Sequence, residues 1–236
     1  MTIKVGLLVC DTPMDSLKEV YGDYVLMFSR LLPSVEITPF DCLDMKYPSD
    51  PTLFDAFVIT GARYSAYDKD PWIQQLLAFI QKVDALGVKM VGICFGHQAI
   101  TMALGGNVTK NEKGWEIGYI NINFNETGKQ LLKPLNDSMG ILSMHQDHVT
   151  TIPPGFQVLA TTEKSHVQMM VKPQKYLTIQ AHPEFTAGYC QGLIDHREKV
   201  GIFSSELVKS LEDINQIIEQ SWYTKIITDF ILEKSN

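Results

Sequence analysis

The run Lys89-Met90-Val91-Gly92-Ile93-Cys94-Phe95-Gly96-His97-Gln98 constrains the fold of this chain more than any other stretch. A segment apolar enough for a central strand leads straight into a glycine-bracketed cysteine. Gln98 to Leu104 then continue as a short helix that ends at Gly105-Gly106. A strand that turns this sharply into a helix crowds the side chains around its apex. Small residues two positions before and after suit that turn, and Gly92 and Gly96 stand there. Cys94 falls at the helix N-terminus, where the dipole and the free N–H groups favour negative charge. The Phe95 N–H points to where an oxyanion would form. A buried cysteine in a glycine-rich turn is the plainer alternative, so the rest of the chain has to decide.

Ala181-His182-Pro183-Glu184 supplies what such a cysteine needs. It follows the strand-like run Tyr176 to Gln180, and residues two apart in an extended segment project to the same side. Imidazole and carboxylate can therefore pair, giving a nucleophile (Cys94), a base (His182) and an orienting carboxylate (Glu184).

Around these motifs strands and helices alternate. Ile3 to Cys10, Val35 to Phe40, Ala56 to Thr60 and Lys89 to Ile93 read as strands. Asp15 to Leu32 carries helix-spaced Leu17, Val20, Tyr24, Phe28 and Leu31, and Pro71 to Leu86 is a second helix with proline in its first turn and Gly87 at its end. The pattern predicts an α/β fold: a mostly parallel central sheet with flanking helices, whose ligands sit beyond the carboxyl ends of the strands. Trp115 to about Val171 reads as a small β-rich insertion, with Asn125 to Met139 a helical or loop excursion. A C-terminal helical extension, about 187–236, carries apolar residues at mostly three- and four-residue spacings from Leu207 to Ile231 and is expected to pack back onto the core. With no linker or repeat, residues 1–236 read as a single domain with a core of about 3–186.

The net charge of −7 leaves no basic surface for nucleic acid, and no apolar run approaches a membrane span. The N-terminus runs directly into a strand without a leader pattern, so a cytoplasmic location is expected. Cys10, Cys42, Cys94 and Cys190 have neither disulfide-framework nor zinc-site spacing. His145, Gln146 and His148 cluster without a convincing set of further ligands, so no metal and no cofactor are expected. His97 lies inside the cysteine motif but is not read as the base, and His166 and His196 are read as surface residues.

Cys94-Phe95-Gly96-His97-Gln98 and His182-Pro183-Glu184 resemble the signatures of class I glutamine amidotransferases, the triad-type glutaminases. Phe57 to Ser65 resembles that family's strand and oxyanion loop. Ser143-Met144-His145-Gln146-Asp147-His148-Val149 resembles a segment of the glutaminase domain of GMP synthetases. The similarity spans roughly residues 3 to 186, in the family's order, and suggests the stand-alone GMP-synthetase-like branch that includes plant γ-glutamyl peptidases. The resemblance implies a flavodoxin-like sheet and Ala62 as second oxyanion donor beside Phe95. It also implies substrate contacts at Gly61 and Gln98, and a loop bearing His145 and Gln146 near the substrate α-carboxylate. Gly61-Ala62-Arg63 departs from the usual Gly-Gly-Pro, and no phosphate-binding glycine loop of a synthetase is present.

The expected reaction is hydrolysis of the γ-glutamyl amide of glutamine through a thioester, with ammonia passed to a synthetase or other acceptor partner. The alternative is a γ-glutamyl peptidase acting on glutathione-like peptides. A catalytically silent binding or regulatory protein on the same scaffold is the reading from another class. Selective labelling of Cys94 by a glutamine-analogue electrophile separates it from the first two.

Overall fold

The structure, a computed structural model, describes residues 3–233. Its strands are β1 (Lys4–Val9), β2 (Glu36–Asp41), β3 (Ala56–Ile59), β4 (Lys89–Ile93), β5 (Asn107–Lys110), β6 (Glu116–Phe124), β7 (Ser138–His145), β8 (Asp147–Thr151), β9 (Gln157–Thr161), β10 (Met169–Lys172) and β11 (Tyr176–Ile179). Its helices are α1 (Asp15–Tyr21), α2 (Tyr24–Leu31), α3 (Pro71–Leu86), α4 (Phe95–Ala103), α5 (Glu126–Leu132), α6 (Ala187–Lys199), α7 (Ser205–Lys209) and α8 (Gln220–Leu232).

The central sheet is parallel across β2-β1-β3-β4-β11 and continues as β10-β9-β6-β7 with antiparallel pairing. The expected β-rich insertion thus lengthens the main sheet, while β5 and β8 form a separate two-stranded ribbon. The antiparallel part curls back over the parallel one, because the Leu142 carbonyl on β7 accepts the N–H of His182 at 2.8 Å.

Alternation along the strands loads both faces. Val5, Leu7, Val58, Val91 and Ile93 face one core with Phe28, Leu31, Ile194 and Tyr223, from α2, α6 and α8. Leu8, Phe57, Ile59 and Met90 face the other, against Ile73, Leu76, Ile80 and Ile100 of α3 and α4. Each fully buried aliphatic side chain of this kind contributes roughly 1.5–3 kcal/mol. Two helical layers therefore clamp the sheet.

The stretch Asp15 to Leu32 is two helices, not one. Gly22, at φ +91°, ends α1, and the Asp23 carboxylate caps α2 by accepting the Leu26 N–H. The C-terminal apolar spacing also overstates its helix. α7 and α8 are separated by turns and bends, and Ile217 is 80% exposed. α8 does pack back, burying Trp222, Tyr223, Ile226, Ile227, Phe230 and Ile231. Lys89 reaches from β4 to the end of this helix, donating to the Phe230 carbonyl at 2.7 Å. Among the described residues, no helix is long and apolar enough to cross a membrane.

Candidate active site

Register explains why distant motifs meet. β11 lies beside β4 with Ile179 opposite Ile93, β3 lies on the other side with Ile59 opposite Gly92, and β1 follows with Leu8 opposite Ile59. Parallel neighbours end at the same edge, so Asp11, the Gly61–Arg63 loop, Cys94 and His182 leave the sheet together. This is the carboxyl edge where ligands bind in such sheets.

Cys94 has φ 51° and ψ −101°, a left-handed conformation that costs a non-glycine residue on the order of 1–3 kcal/mol. The flanking glycines make the turn possible. A Cβ on Gly92 would lie 2.6 Å from the Gly96 carbonyl group, and one on Gly96 would lie 2.4 Å from the Ile59 carbonyl oxygen. Phe95 occupies the first helical position, where a backbone N–H has no intrahelical acceptor.

His182 is buried, with Nδ1 2.8 Å from Glu184 Oε1 and its ring stacked on Phe185 at 4.0 Å. Burial alone would lower its pKa. The neighbouring Cys94 and Glu184 outweigh that effect and push it up to about 10. Gly61 fits between cysteine and histidine: a Cβ there would stand 2.8 Å from His182 Cε1 and 3.5 Å from Cys94 Cβ.

The loop after Gly61 is held by a residue that no sequence motif singles out. The buried Asp11 carboxylate accepts the Arg63 backbone N–H at 2.9 Å and both its oxygens meet Arg63 Nε at 3.0 Å. Arg63 also donates to the Thr12 carbonyl at 2.6 Å. The Ala62–Arg63 peptide is thereby anchored next to Cys94.

Two cavities meet at Cys94 and share Ala62, Arg63, Met144 and Arg197. One, about 180 Å³, lies on the His182 side with Asp11, Tyr24, Phe185 and Tyr189. The other, about 260 Å³, is lined by Gln98, His145, Gln146, Asp147, Tyr67 and Lys110. The structure thus brings Cys94, His182, Glu184, Gly61 and Ala62 into one cluster and sets Gln98, His145 and Gln146 around the adjoining cavity.

The anticipated loop differs in detail. His145 is the last residue of β7, and only Gln146 lies between the strands. The His145 ring is held at both ends, by Glu116 Oε2 at 3.1 Å and the Asp147 carbonyl at 3.0 Å. Gln98 donates to that same carbonyl at 3.0 Å. The Asp147 carboxylate instead faces the cavity, accepting from Ser65 at 2.6 Å and Tyr67 at 3.1 Å. His97 points away, its ring wholly buried on Thr178 at 2.7 Å, and burial pushes its pKa down to about 3. All four cysteines are free and buried. Among the described residues no group of three or more His, Cys, Asp or Glu is placed to hold a metal.

Asp11 was legible in principle, since it follows a strand at the carboxyl edge. Arg197 was not: it stands in Asp195-His196-Arg197-Glu198-Lys199, a charged run that reads as a solvated helix face.

Comparison with known proteins agrees with this architecture. The model of the family described as glutamine amidotransferase class-I matches residues 27–192. A glutamine amidotransferase-like protein of Schizosaccharomyces pombe is 30% identical over 99% of this chain and 100% of its own length. Gamma-glutamyl peptidase 4 of Arabidopsis thaliana is 30% identical over 97% of this chain and 95% of its own. A glutamine-hydrolyzing GMP synthase subunit of Sulfurisphaera tokodaii is 33% identical over 56% of this chain and 68% of its own. The crystal structure of a glutamine amidotransferase from Thermotoga maritima superposes with a TM-score of 0.76 at 18% identity, covering 99% of this chain and 100% of that one. The strand order, the convergent carboxyl-edge loops and these matches lead to one conclusion: the chain belongs to the class I glutamine amidotransferase family.

Proposed function

We propose that this protein hydrolyses a γ-glutamyl amide bond, with Cys94 as nucleophile, His182 as acid and base, and Glu184 as the carboxylate that orients His182. The observation that carries this reading is the His182–Glu184 contact of 2.8 Å beside a cysteine held at φ 51°. Cys94 sulfur attacks the γ-carbonyl carbon, and the carbonyl electrons move onto oxygen, which accepts from the N–H groups of Phe95 and Ala62. Collapse of this adduct breaks the C–N bond as His182 gives its proton to the departing amine. Water then loses a proton to His182 and attacks the thioester, releasing glutamate and restoring the thiolate–imidazolium pair.

In this scheme the larger cavity takes the glutamyl half. Gln98, His145 and Gln146 shape it, with Asp147 and Lys110 in reach of the α-ammonium and α-carboxylate. The smaller cavity takes the leaving group. With glutamine that group is ammonia, destined for a synthetase or other acceptor partner. With a γ-glutamyl peptide it is an amino acid or peptide. The similarity to gamma-glutamyl peptidases over nearly the whole chain and the roomy His182-side cavity both favour the peptide.

The test is release of ammonia and glutamate from glutamine, run beside cleavage of glutathione, with Cys94→Ala as control. Turnover of either substrate that vanishes in Cys94→Ala is the expected result. Turnover that survives the substitution overturns the assignment of Cys94.

A further inference from the structure

Among the described residues, Arg197 is a guanidinium without a counter-ion at the meeting point of the two cavities. It lines both of them next to Cys94, projecting from α6, beyond the segment that the family model matches. Its group lies against an edge-to-face aromatic pair, 5.3 Å from the centre of Trp115 and 5.7 Å from that of Phe203, whose rings are 5.1 Å apart. Nη1 is buried and has no hydrogen-bond partner among the described residues. Desolvation lowers the Arg197 pKa, an effect that Cys94 opposes. A half-buried cation with a fully buried, unpaired N–H group is costly unless something pairs with it.

Charge counting says what the partner is. The other arginine at this junction, Arg63, is neutralised by Asp11. The α-carbon of a γ-glutamyl group carries one positive and one negative charge, and Asp147 and Lys110 of the larger cavity match both. Arg197 remains over. Its neighbours on and after the helix, Leu193, His196 and Ile202, line only the smaller cavity, the leaving-group side. An ammonium product gains nothing from a guanidinium there and is repelled by it. A leaving amine that carries a carboxylate gains a charge-assisted, two-pronged contact.

We infer that Arg197 is a specificity-determining residue that binds the carboxylate of the leaving-group half, so that the preferred substrates are γ-glutamyl amino acids or peptides rather than glutamine. The inference rests on the proposed hydrolytic reading, whose bond changes it leaves as written; Arg197 takes part in none of them.

The experiment compares γ-glutamylglycine with γ-glutamylmethylamide, which lacks only the carboxylate, in wild type, Arg197→Met and Arg197→Lys. Methionine keeps an apolar stem beside Trp115 and Phe203 and removes the charge. The expected wild-type ratio of kcat/KM favours the glycine peptide by roughly tenfold to a hundredfold. That ratio collapses toward one in Arg197→Met and is partly kept in Arg197→Lys. Calorimetric binding of the same pair to Cys94→Ala, with and without Arg197→Met, reads the discrimination independently of turnover. Equal treatment of the two ligands by wild type in both assays overturns the inference. So does an Arg197→Met variant that weakens both ligands alike, which assigns the residue to the shared glutamyl half or to packing. If wild type turns over neither compound nor glutamine, the hydrolytic reading fails, and the binding ratio still decides the role of Arg197.

Discussion

Gly61→Ala adds a single methyl group and places it against the histidine of the site. The new carbon would lie 2.8 Å from His182 Cε1, whereas carbon atoms in contact settle at about 3.5 Å or more. Ring or loop must therefore move by about 0.7 Å, the gap between those two distances. The ring has little room to yield, because it is buried, held by Glu184 at 2.8 Å and stacked on Phe185 at 4.0 Å. A misplacement near 1 Å costs about a hundredfold in rate, so a loss of roughly tenfold to a hundredfold in kcat is expected. Overpacking of this size costs about 1–3 kcal/mol, or roughly 2–4 °C of Tm for each kcal/mol at this chain length. The variant is expected to stay folded. The assay joins steady-state kinetics on the substrate that wild type hydrolyses, a melting curve, and the rate at which iodoacetamide alkylates Cys94. The last needs no substrate and should slow with the displaced imidazole. A folded variant with unchanged kcat and alkylation rate refutes the reasoning, as does a loss confined to KM.

Asp11→Ala releases the Ala62–Arg63 peptide from its anchor; kcat should fall about tenfold or more, short of the full loss of an oxyanion donor, and wild-type kcat in steady-state assays would show that Asp11 does not position the loop. His97 bears on acid stability. Its folded pKa of about 3 lies below the unfolded value, so the unfolded chain binds the extra proton; stability is fully present above about pH 6.5 and is lost as pH falls toward 3. Between pH 7 and 5 that loss is about 2 kcal/mol, and His97→Gln should show a correspondingly flatter change in urea unfolding; equal changes in both proteins contradict it.

Much of this architecture could be read from residues whose local physics is strong. Pro71 and Gly87 bound α3 because one is preset for a first helical turn and the other adopts φ +72° at its end. Gly92 and Gly96 announce the sharp turn at Cys94 because no side chain fits at either position. Apolar spacing was a poorer guide where tertiary contacts decide. It ran through Gly22-Asp23, where one residue ends a helix and the next starts another. It also ran through Ile217, which is exposed. The ribbon of β5 and β8 is short and largely polar, with little periodicity to detect. Arg197 could not be found at all, since only the fold brings the Trp115–Phe203 pair against it.

β4 stands between β3, which precedes it in the chain, and β11, which follows long after. During synthesis one edge of β4 can pair at once with β3, while the other stays bare until Tyr176–Ile179 has been made. Such an edge is a template for wrong partners, and its native closure depends on contacts between distant segments, which form slowly. His182 arrives directly behind the strand that closes this gap, and α8, which receives Lys89, arrives later still. A partly made chain therefore carries Cys94 without its histidine, and the cysteine–histidine–glutamate cluster is completed in the same event that seals the sheet.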